Sequence, residues 1–343
     1  MKTKKIPIEK AEGIRLAHDV TKIVPGKFKG PVFKKGHLIK KEDIPEFLSS
    51  GRKHVYVLEL SREEIHEDEA GVRLARAEAG FGIKLIGPRE GKVNLIAEIN
   101  GLLQVNKELL KKINSIDGII LSTLHNFMPC TSGMLVGGTK IIPLAIKKNK
   151  IKKIEDLCKK EGPAISIVPF KEYEIGVIIT GNEIFEERVK DKFGSILRKK
   201  IEALGSHILA KVVSPDDEKI IAKNMINLKK EGAQLILITG GMSVDPDDIT
   251  LASIKSVGAN IESYGSPVLP GAMFLLAYWD KIPVLGVPAC AIFYQRTVLD
   301  IILPRILTGM KVTKKDIVKL GQGGLCLNCS SCTYPKCYFG KGE

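Results

Sequence analysis

From Glu174 onward the chain settles into a regular alternation of apolar strands and amphipathic helices, which restricts it to very few architectures. Residues 175–180 read as a buried strand closed by a Gly181-Asn182 turn. Val189, Phe193, Ile196, Leu197 and Leu204 then mark one face of a helix that ends at Gly205. Residues 207–213 are the next strand, 216–228 a helix with Gly232 past its end, and 234–239 another largely apolar strand. After Gly240-Gly241 comes a loop and a helix over about 248–257. Strands this apolar, separated by helices, predict a parallel sheet covered on both faces, with right-handed crossovers.

Ligands of such sheets bind where the strands end. Two loops there carry the glycines and polar residues: Thr180-Gly181-Asn182-Glu183, and the run from Thr239 through Gly240, Gly241, Met242, Ser243, Val244, Asp245, Pro246 and Asp247 to Asp248. Paired glycines let a backbone approach a phosphate closely. Ser243 offers a hydroxyl, and the following helix start adds partial positive charge. Asp245, Asp247 and Asp248 beside an anion call for Mg²⁺ between them and the phosphate, since hard carboxylate oxygens are its expected ligands. The alternative is that one of them caps the next helix.

At these residues the chain resembles a known family. Thr180-Gly181-Asn182-Glu183-Ile184 matches the T-G-[DNS]-E-[LI] turn of the molybdopterin-binding domain shared by molybdopterin molybdenumtransferases, molybdopterin adenylyltransferases and the competence/damage-inducible proteins. Gly240-Gly241-Met242-Ser243-Val244 with Asp248 matches that family's G-G-x-S-V-G-x-x-D loop. Leu269-Pro270-Gly271 falls where the transferases have K-P-G-K-P, and Gly286-Val287-Pro288 where they have G-L-P-G-N-P. Asp247-Asp248-Ile249-Thr250 matches the competence family's D-D-I-T.

The resemblance implies a three-layer α/β domain over 173–315 that binds molybdopterin or its adenylate through Thr180, Gly181, Asn182, Gly240, Gly241, Ser243, Asp245, Asp247, Pro270, Gly271 and Pro288. It further implies Mg²⁺ near Glu183 and Asp248 as the catalytic pair, molybdate replacing AMP on the dithiolene, and a homodimer. Several positions depart from the pattern. Asp245 replaces a glycine, Leu269 and Ala272 replace lysines, and Ala289-Cys290-Ala291 replaces Gly-Asn-Pro. The lost groups are candidate anion contacts, so ligand binding is supported more firmly than molybdate insertion. A carrier that serves a molybdoenzyme, and a nucleotide pyrophosphatase like the competence proteins, are the alternatives.

Ahead of this domain, residues 1–60 read as a small β-rich module of short strands with a Pro25-Gly26 turn, and 61–172 as an α+β segment. In the latter, helices are expected over 63–78, 107–113 and 151–160, and strands over 93–99 and 118–122. Val136-Gly137-Gly138-Thr139 lacks the strand-to-helix setting of a phosphate loop and reads as a tight turn. His125 has no partner motif.

The last segment, 316–343, ends in Cys326, Cys329, Cys332 and Cys337, spaced C-x2-C-x2-C-x4-C. Thiolates this close in sequence predict a metal centre, either a [4Fe-4S] cluster or tetrahedral zinc, and in so short a tail the metal is expected to direct the folding. Two disulfides would require an oxidising compartment. The basic first ten residues are followed by no apolar stretch of a secretory signal, so a reducing cytoplasm is expected. Cys130, Cys158 and Cys290 stand singly, as buried structural cysteines do. Cys290 also lies in a loop that should face the ligand.

A net charge of +14 invites nucleic acid. The lysines, however, are dispersed along solvent faces and only 6% of residues are aromatic, so an anionic small molecule or a solvated lysine-rich surface is the better reading. No apolar run approaches the ~20 residues of a membrane span.

Overall fold

The computed structural model describes residues 2–17, 19–24, 28–189, 191–241 and 249–342. The chain separates into two compact units. One comprises residues 1–97, 105–124 and 134–166, and the other 98–104, 125–133 and 167–343.

The first unit begins with a three-stranded antiparallel sheet in which His54–Glu59 lies between Lys2–Pro7 and Arg15–Leu16. A hairpin of Val20–Val24 and Phe28–Phe33 follows; the Pro25-Gly26 turn lies outside the described residues. Ile8, Leu16, Phe47, Val55 and Val57 close a core here, with Phe33 stacked on Phe47 at 4.2 Å between ring centroids. The same unit holds a four-stranded antiparallel sheet in the order Ile119–Thr123, Leu135–Ile141, Lys92–Ala97, Ile83–Arg89. Its helices are Glu67–Glu78, Lys107–Asn114 and Lys148–Glu161.

Two expectations are corrected in this unit. The first helix starts at Glu67, because Glu64–His66 pairs as a strand with Ala145–Lys147 and the His66 ring accepts the Asp68 N–H as a cap. Val136-Gly137-Gly138-Thr139 is a strand interior, not a turn. A side chain at Gly137 would stand 2.8 Å from the Ser122 carbonyl oxygen, so the small residues allow close strand contact there.

The second unit carries the site. Its sheet strands are β1 (Glu174–Thr180), β2 (His207–Ser214), β3 (Leu235–Thr239), β4 (Asn260–Tyr264), β5 (Leu275–Trp279) and β6 (Ile282–Val287), in the spatial order β2-β1-β3-β6-β5-β4. The four strands β2, β1, β3 and β6 run parallel, as the alternation predicts. β4 and β5 add an antiparallel edge by pairing β5 against β6 and β4 against β5.

Helices α1 (Asn182–Phe185), α2 (Phe193–Glu202), α3 (Glu218–Lys230), α4 (Thr250–Ser256), α5 (Val298–Leu307) and α6 (Lys314–Val318) complete the unit. Alternate residues of β1 point into two different cores. Ile175, Val177 and Ile179 pack with α2 and α5, and Ile178 packs with Ile221, Met225 and Ile254 of α3 and α4. This two-sided burial explains why the strands lack polar alternation.

Val189 is not on the helical face expected of it. It is 51% exposed, and α2 begins only at Phe193, where the Asp191 carboxylate accepts the Gly194 N–H at 3.0 Å. The C-terminal segment packs onto this unit through apolar side chains. Leu320 and Phe339 are buried in the same core as α5, with Tyr334 packed against it and its hydroxyl donating to the Asp300 carbonyl at 2.8 Å.

Candidate functional site

The register of the sheet gathers four loops at one edge. Thr239 ends β3 opposite Val287 of β6, Gly286 faces Leu275 at the start of β5, and Leu275 faces Tyr264 at the end of β4. The segments after Thr180, Thr239, Tyr264 and Val287 therefore all leave from the carboxyl side of the parallel strands. That is the side where such sheets bind ligands.

Thr180 and the first glycine pair form the centre of this edge. The Thr180 hydroxyl donates to the Thr239 carbonyl at 3.0 Å and is buried. Gly240 has φ of +90°, and a Cβ there would lie 2.6 Å from the Thr180 Oγ1, so both conformation and space require glycine. Gly241, at φ +56°, is closed in by Thr250, whose hydroxyl donates to the Gly240 carbonyl at 3.0 Å and whose N–H bonds the Gly241 carbonyl at 3.2 Å. Two motifs sixty residues apart are thus held as one backbone surface. Ser243, Asp245, Asp247 and Asp248 lie outside the described residues.

Gly181, with φ of +142°, turns the chain from β1 into α1. Asn182 and Asp216 exchange reciprocal bonds, each side-chain oxygen accepting the other's backbone N–H at 3.1 Å, so the Thr180 loop is fastened to the loop after β2. Glu183 is exposed and its carboxylate folds back toward Gly181. On the other side, Pro270 accepts the Val298 N–H at 3.3 Å, and Gly271 packs so tightly on Val298 that a Cβ would meet its side chain at 2.6 Å. The flanking Leu269 is 55% exposed. Pro288 is buried at the end of β6 and starts the short 3-10 turn Ala289–Ile292.

Thr180, Gly240 and Gly241 are therefore in contact. Gly181, Asn182 and Glu183 extend from them toward β2, and Pro270, Gly271 and Pro288 stand along the same edge toward α5. Burial pushes the Cys290 thiol above its ordinary range, which favours the packed role over a reactive one.

Sequence reasoning gave no site role to Thr239, whose hydroxyl is buried without a hydrogen-bond partner among the described residues, or to Asp216 and Thr250, which fasten the loops. A threonine ending an apolar strand just before Gly-Gly was the available signal. An orphaned buried hydroxyl beside a glycine-lined backbone surface suits a ligand that accepts hydrogen bonds. The fit for Mg²⁺ is narrower: among the described residues no three His, Cys, Asp or Glu groups gather to hold a metal ion, and Glu183 is the one proposed Mg²⁺ ligand described. Also among the described residues, no helix is long and apolar enough to cross a membrane.

Residues 176–308 match the family model described as a probable molybdopterin binding domain, and residues 5–59 match one described as a domain of unknown function. Among curated proteins, the chain is similar to a molybdopterin adenylyltransferase of Pyrococcus furiosus, 31% identical over 107 residues that cover 31% of this chain and 59% of that protein. It is also similar to a molybdopterin molybdenumtransferase of Haemophilus influenzae, 25% identical over 155 residues, 43% of this chain and 38% of that protein. A CinA-like protein of a Mycobacterium species is 30% identical over 79 residues, covering 23% of this chain and 19% of that protein. The chain thus spans 59% or less of the length of these relatives. Among solved structures, the molybdopterin biosynthesis enzyme MoaB of Thermus thermophilus aligns at 19% identity over 41% of this chain and 99% of that one, with a TM-score of 0.34. With its two loop motifs on adjacent strand ends, the domain over residues 176–308 is a divergent member of the molybdopterin-binding domain family.

Proposed function

We propose that this chain acts in molybdenum cofactor biosynthesis by binding molybdopterin, or its adenylate, along the carboxyl edge of the β1–β3–β6 sheet. The observation that carries the reading is the contact of Thr180 with Gly240, which joins the two family motifs into one glycine-lined surface beside the Thr239 hydroxyl, which has no hydrogen-bond partner among the described residues. Backbone N–H groups that approach closely are suited to the phosphate of the ligand.

Mg²⁺ would enter with those phosphates, as this ion commonly binds through one or two carboxylates plus substrate oxygens, with Glu183 and Asp248 as the carboxylates. Fixed donors aimed at phosphate and oxyanion charge would supply the main catalytic contribution if molybdate displaces AMP. A homodimer in a reducing cytoplasm is the assembly and setting we propose, checked by sedimentation of the purified protein.

A specific observation favours the second reading, a carrier that binds the pterin and delivers it to a molybdoenzyme. Where the resembling transferases have a lysine, this chain has Leu269, and its backbone is bonded on both sides to the C-terminal segment: its N–H to the Gly324 carbonyl at 2.8 Å and its carbonyl to the Cys326 N–H at 2.7 Å. Incubating the protein with adenylylated molybdopterin, Mg²⁺ and molybdate separates the readings. AMP release assigns the transferase, tight pterin binding without AMP release assigns the carrier, and absence of pterin binding refutes both. Hydrolysis of ADP-ribose would instead point to the pyrophosphatase activity that the competence-family resemblance implies.

A further inference from the structure

The four C-terminal cysteines are free thiols, and all four line a single cavity of about 40 Å³. That volume exceeds the ~10–15 Å³ needed to hold one water. Its walls include Arg296, Tyr334, Tyr338 and Phe339.

The cavity is built by the protein's own packing. Phe339 is buried and Tyr334 is anchored on Asp300, while the Leu269 backbone bonds on either side of Leu325 and fixes the approach to Cys326. Tyr338 donates to the Leu325 carbonyl at 2.8 Å and closes the other wall.

Two cations face these thiols. Arg296, held by Asp300 at 2.8 Å, shares the cavity wall with Cys332, and Lys341 lies within electrostatic reach of Cys337. Such neighbours suit an occupant that carries excess negative charge, which a zinc tetrathiolate and an iron-sulfur cluster share.

The spacing of the thiols distinguishes those two. Zinc sites are commonly built from Cys-x2–4-Cys pairs set well apart in sequence, whereas a C-x2-C-x2-C run places three thiolates on a [4Fe-4S] cluster, and here a fourth cysteine follows on the wall of the same cavity.

We propose that Cys326, Cys329, Cys332 and Cys337 hold a [4Fe-4S] cluster, with Arg296 in the wall of the same cavity. This proposal does not depend on the pterin reading, because metal content and pterin binding are separate measurements. The site also shares the Leu269-Pro270 loop with the sheet edge, through bonds of 2.7 and 2.8 Å to the segment that leads into the cavity.

The test is metal and sulfide analysis of the full chain purified without oxygen, with visible and electron paramagnetic resonance spectra before and after dithionite. About four irons and about four sulfides per chain, with visible absorbance that bleaches on reduction, are expected. One zinc without sulfide, a two-iron content, or protein that stays metal-free after reconstitution with iron and sulfide would overturn the proposal. Cys329→Ala, at an exposed position, should lose most of the iron while thermal unfolding still reports a folded domain. Cys158→Ala, in the other unit, should keep it. Equal iron retention in both variants would also refute the assignment.

Discussion

The chain contains the same short pattern twice, a Gly-Gly pair next to threonine, and the two copies serve opposite ends. Gly137-Gly138 lies inside an antiparallel strand of the first unit, without positive φ, and its smallness lets neighbouring strands approach. Gly240-Gly241 lies past the end of a parallel strand of the second unit, with φ of +90° and +56°, against the Thr180 and Thr250 hydroxyls. One pair is spatial, the other conformational as well. Glycine pairs on their own therefore say little about phosphate binding; their place relative to a parallel strand end says a great deal.

The strongest way to break this comparison is Gly240→Ala. A Cβ would lie 2.6 Å from Thr180 Oγ1 and 2.7 Å from its carbonyl oxygen, on a backbone that L side chains disfavour. A loss of about 3–4 kcal/mol is expected in urea unfolding, with pterin affinity lost at temperatures where the variant remains folded. Retained stability and affinity would reduce the pair to an ordinary turn.

The glycine strand of the first unit has its own chemistry. Glu78, buried against Thr139, is pushed up to about 8, chiefly by burial. Its folded-state pKa lies above its unfolded one, so the folded state binds the extra proton, and stability should fall as pH rises from the ordinary carboxylate range to about 8. The effect is on the order of 5 kcal/mol, and Glu78→Gln should flatten that slope in urea midpoints measured across this range. An unchanged slope would show that the carboxyl ionises at its ordinary pKa.

Gly137→Ala should cost about 2 kcal/mol, since its Cβ meets a strand carbonyl at 2.8 Å. Thr180→Val removes a buried hydroxyl donor to the Thr239 carbonyl and should cost about 1 kcal/mol, with a larger loss in pterin affinity than in stability. Gly138→Ala should be nearly silent, within about 0.5 kcal/mol, because the nearest atom is the flexible end of Lys92 at 3.3 Å. A Gly138→Ala cost equal to that of Gly240→Ala would erase the distinction between the two pairs.

Much of the second unit was legible because its signals are local. Strands buried on both faces read as apolar runs, α3 announces itself by its period, and its Asp217 cap holds the Ile220 N–H at 2.9 Å. The antiparallel β4–β5 edge was not legible, since a short apolar run such as Leu275–Trp279 does not state its partner or direction. Nor was the start of α2, which Asp191 fixes after a bend at Glu187 with φ of +57°.

The alternation of strands and helices, the two loop motifs and the four clustered cysteines all rest on residues close along the chain and are readable there. That Thr180 touches Gly240, that one glycine pair is a strand, and that the cysteines surround a cavity tied to Leu269 emerged from the folded chain. The physical reason is that strand register and side-chain packing join residues tens of positions apart. Those contacts depend on how whole elements fit together, and no short stretch of sequence encodes that fit.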